Sequence, residues 1–366
     1  MTAPVPAPGP AANPYRRAGS VVEGELFIGR ERLLRTVESA WRGPGTPTNL
    51  RVIGHHRTGK TSLVRRALTT LPRTRPDLIQ VWIDVSRQES GMDVFRSVTK
   101  AVLAELRKAG PAAADGLLGT LLPINTAVQL SAEWHDLEAS VTAFFAAMYD
   151  AGRHVLLVLD EFDRAEGVFQ RLAEFQLLRA IVSDTGCTVG LITISRRDIE
   201  SIETDAAGGS ILGGVVVNKV WVGMFDDTET DLMLARAAPL GIGLAAARPE
   251  IVEYTGSHPF LLDVLCRSLV EVHLATGKLD FGLAYEQVEE IFVDQFGRLL
   301  RNVRTDIGRG TALLRQIATS AGAVNGYSLD VSRLRRMGVV RSDAAGRPAL
   351  FSLEFGRYVM MAPADA

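Results

Sequence analysis

Two kinds of apolar pattern alternate along the first two-thirds of this chain. Short β-rich runs occur at Leu50–Ile53, Leu78–Val85, Val155–Leu159, Thr188–Ile194 and Val215–Val222, and Val155–Leu159 is apolar without a break. Between them lie stretches whose apolar residues recur with helical spacing: about Glu31–Trp41, Lys60–Leu71, Met92–Lys108, Asp136–Ala151 and Val168–Ser183. An unbroken apolar run this short predicts a parallel strand covered on both faces, and strands alternating with helices predict a doubly wound α/β domain. Its expected bounds are residues 20–225. Residues 110–136 carry few signals and read as a loop or small insertion. From Asp226 the pattern is helical only, to about Asn302, and residues 303–366 read as helices followed by a short hairpin. No repeat with a period of 20–50 residues is present.

Composition narrows the class. The 366 residues are 47% hydrophobic and 22% charged, as in a globular protein with room for two or three cores. A net charge of −2 argues against a surface that coats nucleic acid throughout, but allows a local basic patch. No apolar run approaches the ~20 residues that span a bilayer, so no membrane partner is expected. Residues 1–19 begin with an Ala/Pro-rich leader lacking a basic-then-apolar order, which predicts disorder and not a signal peptide. Cys187 and Cys266 sit in apolar surroundings without CxxC spacing, which suits reduced thiols and a cytoplasmic protein.

The chemistry concentrates at Gly54-His55-His56-Arg57-Thr58-Gly59-Lys60-Thr61, followed by Ser62. This is GxxxxGK[ST] between a strand and a helix. Its glycines let backbone N–H groups wrap a phosphate, and the helix start adds favourable partial charge. Lys60 would neutralise the β- and γ-phosphates, and the Thr61 hydroxyl would ligate Mg²⁺. About a hundred residues later, the apolar strand His154–Leu159 ends in Asp160-Glu161. Asp160 would stand beside the metal, and Glu161 would take a proton from, or orient, the attacking water. Asp163 is either a helix cap or a catalytic acid. The strand Thr188–Ile194 ends in Ser195-Arg196-Arg197-Asp198. There Arg196 either reads the γ-phosphate or pairs with Asp198 or Glu200, and Arg197 is a candidate arginine finger.

Together these residues resemble the STAND class of AAA+-related P-loop ATPases, especially bacterial and archaeal ATPases near the origin-recognition group. Asn13-Pro14-Tyr15 and Phe27-Ile28-Gly29-Arg30-Glu31 look like that family's opening, which lies against adenine. Leu159–Asp163 looks like its metal-binding strand, and Thr193–Arg196 like its sensor strand. Glu253–Leu262 resembles its lid segment, where a proline, here Pro259, touches the base; Ser257 stands where the family has a second glycine. The resemblance spans about residues 13–362. It implies an α/β P-loop ATPase core, a helical lid at 226–302 and a winged helix at 303–366. Within the last of these, Leu313–Ala321 reads as one helix, Asp330–Arg336 as the recognition helix, and Val339–Ser342 with Ala349–Ser352 as wing strands. ATP or ADP with Mg²⁺ would bind through Gly54–Ser62, Tyr15, Ile28 and Pro259.

Two functions follow from different classes. One is a slowly hydrolysing ATP switch of the regulatory or defence kind, with a partner protein supplying effector or sensor, and with ATP-dependent self-association. On this reading the leader is too short for an effector, and the chain stops soon after the wing. The other is an origin-recognition-like ATPase that holds DNA through its winged helix. Residues 298–366 carry eleven arginines against five acids. That charge suits phosphate contacts. It equally suits a solvated or docked face.

Overall fold

The computed structural model describes residues 12–15, 19–108, 111–183, 186, 189–320, 324–326 and 328–363. Residues 1–11 and 16–18 of the expected leader, and Cys187, lie outside them. The chain divides into two compact units. One comprises residues 30–54 and 60–222. The other gathers the described residues before 30, the loop 55–59 and everything from 223 onward.

The first unit is the α/β layer structure. Its elements are α1 (Glu31–Ser39), β1 (Leu50–Ile53), α2 (Lys60–Leu68), a one-turn α3 (Leu71–Thr74), β2 (Leu78–Asp84), α4 (Gly91–Lys108), α5 (Pro111–Leu130), α6 (Trp134–Asp150), β3 (His154–Asp160), a one-turn α7 (Ala165–Val168), α8 (Leu172–Ser183), β4 (Val189–Ser195), α9 (Ile199–Ala207) and β5 (Asn218–Trp221). All pairings in the sheet are parallel, in the order β2-β3-β4-β1-β5. The largely apolar character of β3 and β4 is explained by their interior position, with every residue from Val155 to Asp160 and from Val189 to Ser195 buried.

Two expectations change here. Residues 111–130 form a helix where the sequence suggested a loop or small insertion. The segment hides its helical character because Asp115 is its only charged residue, and Gly116, Gly119 and Pro123 lower its propensity. Pro123 also has no N–H to offer the carbonyl four residues back. Packing of Leu121 and Val128 into the core shared with α4 and α6 overrides this. The fifth strand is shorter than the apolar run 215–222. Val215 and Val216 turn their N–H groups back to the Leu212 carbonyl instead of a strand. The Val216 carbonyl is then taken by the buried Arg51 guanidinium, which also bonds the Gly213 carbonyl and pairs with Asp198 and Glu200.

The second unit contains α10 (Asp227–Ala235), α11 (Arg248–Thr255), α12 (Pro259–Thr276), α13 (Phe281–Glu286), α14 (Glu289–Asp306), α15 (Gly310–Ser320), α16 (Leu329–Arg336), β6 (Val340–Ser342), β7 (Pro348–Leu350) and α17 (Leu353–Met361). Local chemistry sets several starts. Asp226 and Glu229 form a capping box before α10, His258 caps α12 with Pro259 in its first turn, and Ser328 caps α16. β6 and β7 pair antiparallel. The chain does not end at that hairpin as the sequence suggested. Ser352 accepts a hydrogen bond from the Phe355 N–H at 3.0 Å and starts α17, which buries Phe355 and Val359. Gly356 and a short apolar stripe conceal this helix in the sequence. One apolar cluster runs from Tyr15 through α12 and α14 to α17. Gly256 is required for it, since a Cβ there would come within 2.3 Å of Phe351. Ser257 holds the left-handed φ of +60°, the conformation a glycine takes freely.

Candidate nucleotide site

Parallel strands bring their carboxyl ends to one edge, and the candidate residues of the first unit meet there. β4 lies between β1 and β3, and the Gly54 N–H donates to the Ser195 carbonyl at 3.2 Å. At the start of α2, the Thr61 hydroxyl lies 3.2 and 3.3 Å from the two carboxylate oxygens of Asp160 at the end of β3. The Glu161 N–H also donates to Asp160, at 2.9 Å. Asp160 is 8% exposed, and loss of solvation pushes its carboxyl above the usual range despite those bonds and the nearby Lys60.

Glu161 also has a raised carboxyl, first through loss of solvation and then through Asp160, Asp163 and Asp84, with Lys60 opposing. A carboxylate poised upward is better suited to receive a proton from water. Its φ of +53° is unusual for a non-glycine residue. Such backbone strain at the end of a strand is characteristic of residues held for a task. The Lys60 amine is shifted down by loss of solvation and pulled back by Asp163, Glu161 and Asp160, in that order. The three acids therefore converge on the one lysine of the glycine-rich loop.

Asp163 does not cap the helix that follows it. Its carboxylate accepts the backbone N–H of Arg196 and, at 3.1 Å, that of Arg197. It thus fastens the end of β4 to the turn after β3. Asp198 and Glu200, the suggested partners of Arg196, pair with Arg51 and Lys219. The Arg197 guanidinium pairs with Glu166 and Asp205 and is 10% exposed. That corrects its reading as an arginine finger, because a finger must be presented outward. The Ser195 hydroxyl donates to the Arg197 carbonyl at 2.6 Å, a local turn contact.

Sequence reasoning missed Asp84. It ends β2 in register with Asp160 and adds negative charge to both Asp160 and Glu161. The available signal was that a second apolar strand also closes on an acid. A hydroxyl facing a desolvated carboxylate is a donor set that fits Mg²⁺, which Thr61 and Asp160 would hold. Among the described residues no cluster of three or more His, Cys, Asp or Glu side chains could cage a metal. A magnesium ion here would lean on phosphate and water oxygens, as it commonly does.

The remaining candidates belong to the second unit. In the loop, Gly59 takes a φ of +93° and Arg57 one of +64°. The buried Thr58 donates its hydroxyl to the His55 carbonyl at 2.9 Å, closing a tight turn. The Arg57 guanidinium lies 3.9 Å from the centre of the Phe260 ring. Tyr15 is 1% exposed and donates its hydroxyl to the Met233 carbonyl at 2.8 Å, so its ring serves the core. Ile28 packs on the same cluster, and Pro259 opens α12 directly before Phe260.

A five-stranded parallel sheet with this glycine-rich loop and these strand ends is the α/β fold of P-loop ATPases. Residues 26–190 match the family model described as an AAA ATPase domain. One solved structure agrees on the fold, and two others are similar at lower scores. A Walker-type ATPase of Pyrococcus abyssi is 17% identical, with 92% of this chain and 97% of that one covered at a TM-score of 0.57. The Aeropyrum pernix ORC2 protein, in ADPNP–ADP complexes, is 14% identical over 94% and 98%, with a TM-score of 0.49. The ORC1 protein of the same organism, in complex with DNA, is 17% identical over 93% and 94%, with a TM-score of 0.43. None of the curated proteins compared with the chain matches it. The domain match supports an AAA+ P-loop ATPase. No helix among the described residues is long and apolar enough to cross a membrane.

Proposed function

We propose that the chain is an ATP-driven switch of the STAND kind. Mg-ATP and ADP would set different arrangements of a helical lid (226–302) and a winged helix (303–366), and hydrolysis would be slow. The observation that supports it best is the Asp163 carboxylate gripping the main chain of Arg196 and Arg197. That grip fixes the root of a cation at the sheet edge that carries Lys60, Thr61, Asp160 and Glu161. Lys60 would neutralise the β- and γ-phosphates, Thr61 and Asp160 would hold Mg²⁺, and Glu161 would accept the proton of the attacking water. Ile28 and Pro259 would flank adenine, with Tyr15 supporting them from the core. Arg196 would then feel the γ-phosphate alone. Arg196→Ala should keep ADP affinity within about twofold and lose about tenfold for a non-hydrolysable ATP analogue, one charge-assisted hydrogen bond. Equal losses for both nucleotides, measured by fluorescence titration, would sink the sensing role.

The second reading, a DNA-binding ATPase, rests on α16 and β6, where Arg333, Arg336 and Arg341 are exposed. Of the eleven arginines in the C-terminal segment, seven are engaged within the protein. Arg298, Arg309, Arg347 and Arg357 pair with acids, and Arg304, Arg315 and Arg335 bond backbone carbonyls. This leaves a smaller cationic face than the sequence count suggests, and the switch reading stands first. Duplex DNA binding lost on Arg333→Glu with Arg336→Glu would reverse that order. Retention of binding by the double variant, or no binding by the wild type, would remove the second reading.

A further inference from the structure

Three successive residues of the phosphate loop are held by the second unit, two of them by one face of α14. The His56 carbonyl lies 3.4 Å from Gln295 Nε2, and His55 Nδ1 lies 3.4 Å from Asn302 Nδ2. Gln295 and Asn302 are seven residues apart, which is two helical turns and one face. Arg57 completes the set on Phe260. Gln295 is wholly buried, and its Oε1 has no hydrogen-bond partner. A buried amide left half-used costs free energy, so its presence here asks for a reason.

The reason lies in its third neighbour. Gln295 Nε2 also sits 3.3 Å from Nε2 of His258, another fully buried side chain. His258 Nδ1 accepts the Phe260 N–H at 3.2 Å as the cap of α12, so a neutral ring carries its proton on Nε2. The Gln295 NH₂ therefore faces a donor on one side and the His56 acceptor on the other. In this orientation the amide serves the loop carbonyl. Turned by half a rotation, its oxygen accepts from His258 and the loop carbonyl loses this donor. One amide has two exclusive orientations, one facing the phosphate loop and one facing the cap of α12. The His258 ring in turn stands 6.4 Å from Phe351, just after β7.

We propose that Gln295 is a two-position latch that couples phosphate binding at the loop to the C-terminal helices. A loop that wraps a phosphate turns its N–H groups inward and its carbonyls outward. The His56 carbonyl is then offered to Gln295, and the amide is drawn away from His258. By linkage, whatever favours the loop-facing orientation tightens nucleotide binding, and the reverse. This latch rests on the nucleotide reading above and adds the residue that transmits occupancy.

The test uses two substitutions with opposite expected signs. Gln295→Met fills the same volume without an amide, and should weaken Mg-ATP binding about fivefold, the value of one net hydrogen bond. His258→Asn keeps an N-cap acceptor but is too short to compete for Gln295, and should tighten Mg-ATP binding about threefold. Both affinities are read by calorimetry on full chains of verified melting temperature. If Gln295→Met does not fold, Gln295→Asn, whose amide falls short of both neighbours, takes its place with the same expectation. A merely structural role would weaken binding in both variants or change neither, and either result overturns the latch while nucleotide binding by the wild type stands. A wild-type chain that binds no nucleotide overturns the reading beneath it as well.

Discussion

Lys60→Ala is expected to bind ATP at least about a hundredfold more weakly than the wild type, while melting within a few degrees of it. The amine sits where Asp163, Glu161 and Asp160 all act on it, in surroundings that already disfavour its charge. A side chain kept charged against its own desolvation is stabilised most by a ligand of opposite charge. Two charge-assisted bonds to phosphate oxygens, at about 1.5 kcal/mol each, amount to roughly two decades of affinity. The fold does not need the amine, because α2 is anchored by Leu63, Val64, Ala67 and Leu68 in the core. Unchanged affinity in a folded Lys60→Ala protein would remove the loop from the site.

Glu161→Gln separates binding from chemistry. The amide keeps the shape and the left-handed turn but cannot take a proton. Turnover should fall by about a hundredfold or more, the scale of a lost general base. Nucleotide affinity should hold or rise, since Glu161 is one of several negative groups that oppose a bound phosphate. Steady-state phosphate release together with equilibrium titration checks both halves. A variant that turns over at the wild-type rate would make the acid structural and would move the proton acceptor elsewhere, with Asp84 another carboxylate on the same strand edge.

Much of this architecture is legible in the sequence because the signals are local. GxxxxGK[ST] needs only a strand before it and a helix after it, and β1 and α2 provide both. The run Val155–Leu159 announces a strand buried on both faces because no polar residue interrupts it. The role of Asp163 was not legible, since its partners are main-chain groups more than thirty residues away and backbone carries no sequence signature. The same holds for Arg197, whose acids come from α7 and from α9. Helix α5 was hidden because packing, and not propensity, makes it helical. Gln295 looks in sequence like one more polar residue on an amphipathic helix. Only the fold shows it buried beside the loop carbonyl.

The central claim is that Gly54–Thr61, with Asp160, holds a magnesium nucleotide. Its most direct measurement is a calorimetric titration of the wild-type chain with ATP, run in Mg²⁺ and again in excess chelator. One saturable site, weakened by chelation and lost in Lys60→Ala, is the predicted result. Absence of saturation at millimolar ATP with Mg²⁺, or a binding curve indifferent to both the metal and Lys60, would contradict it.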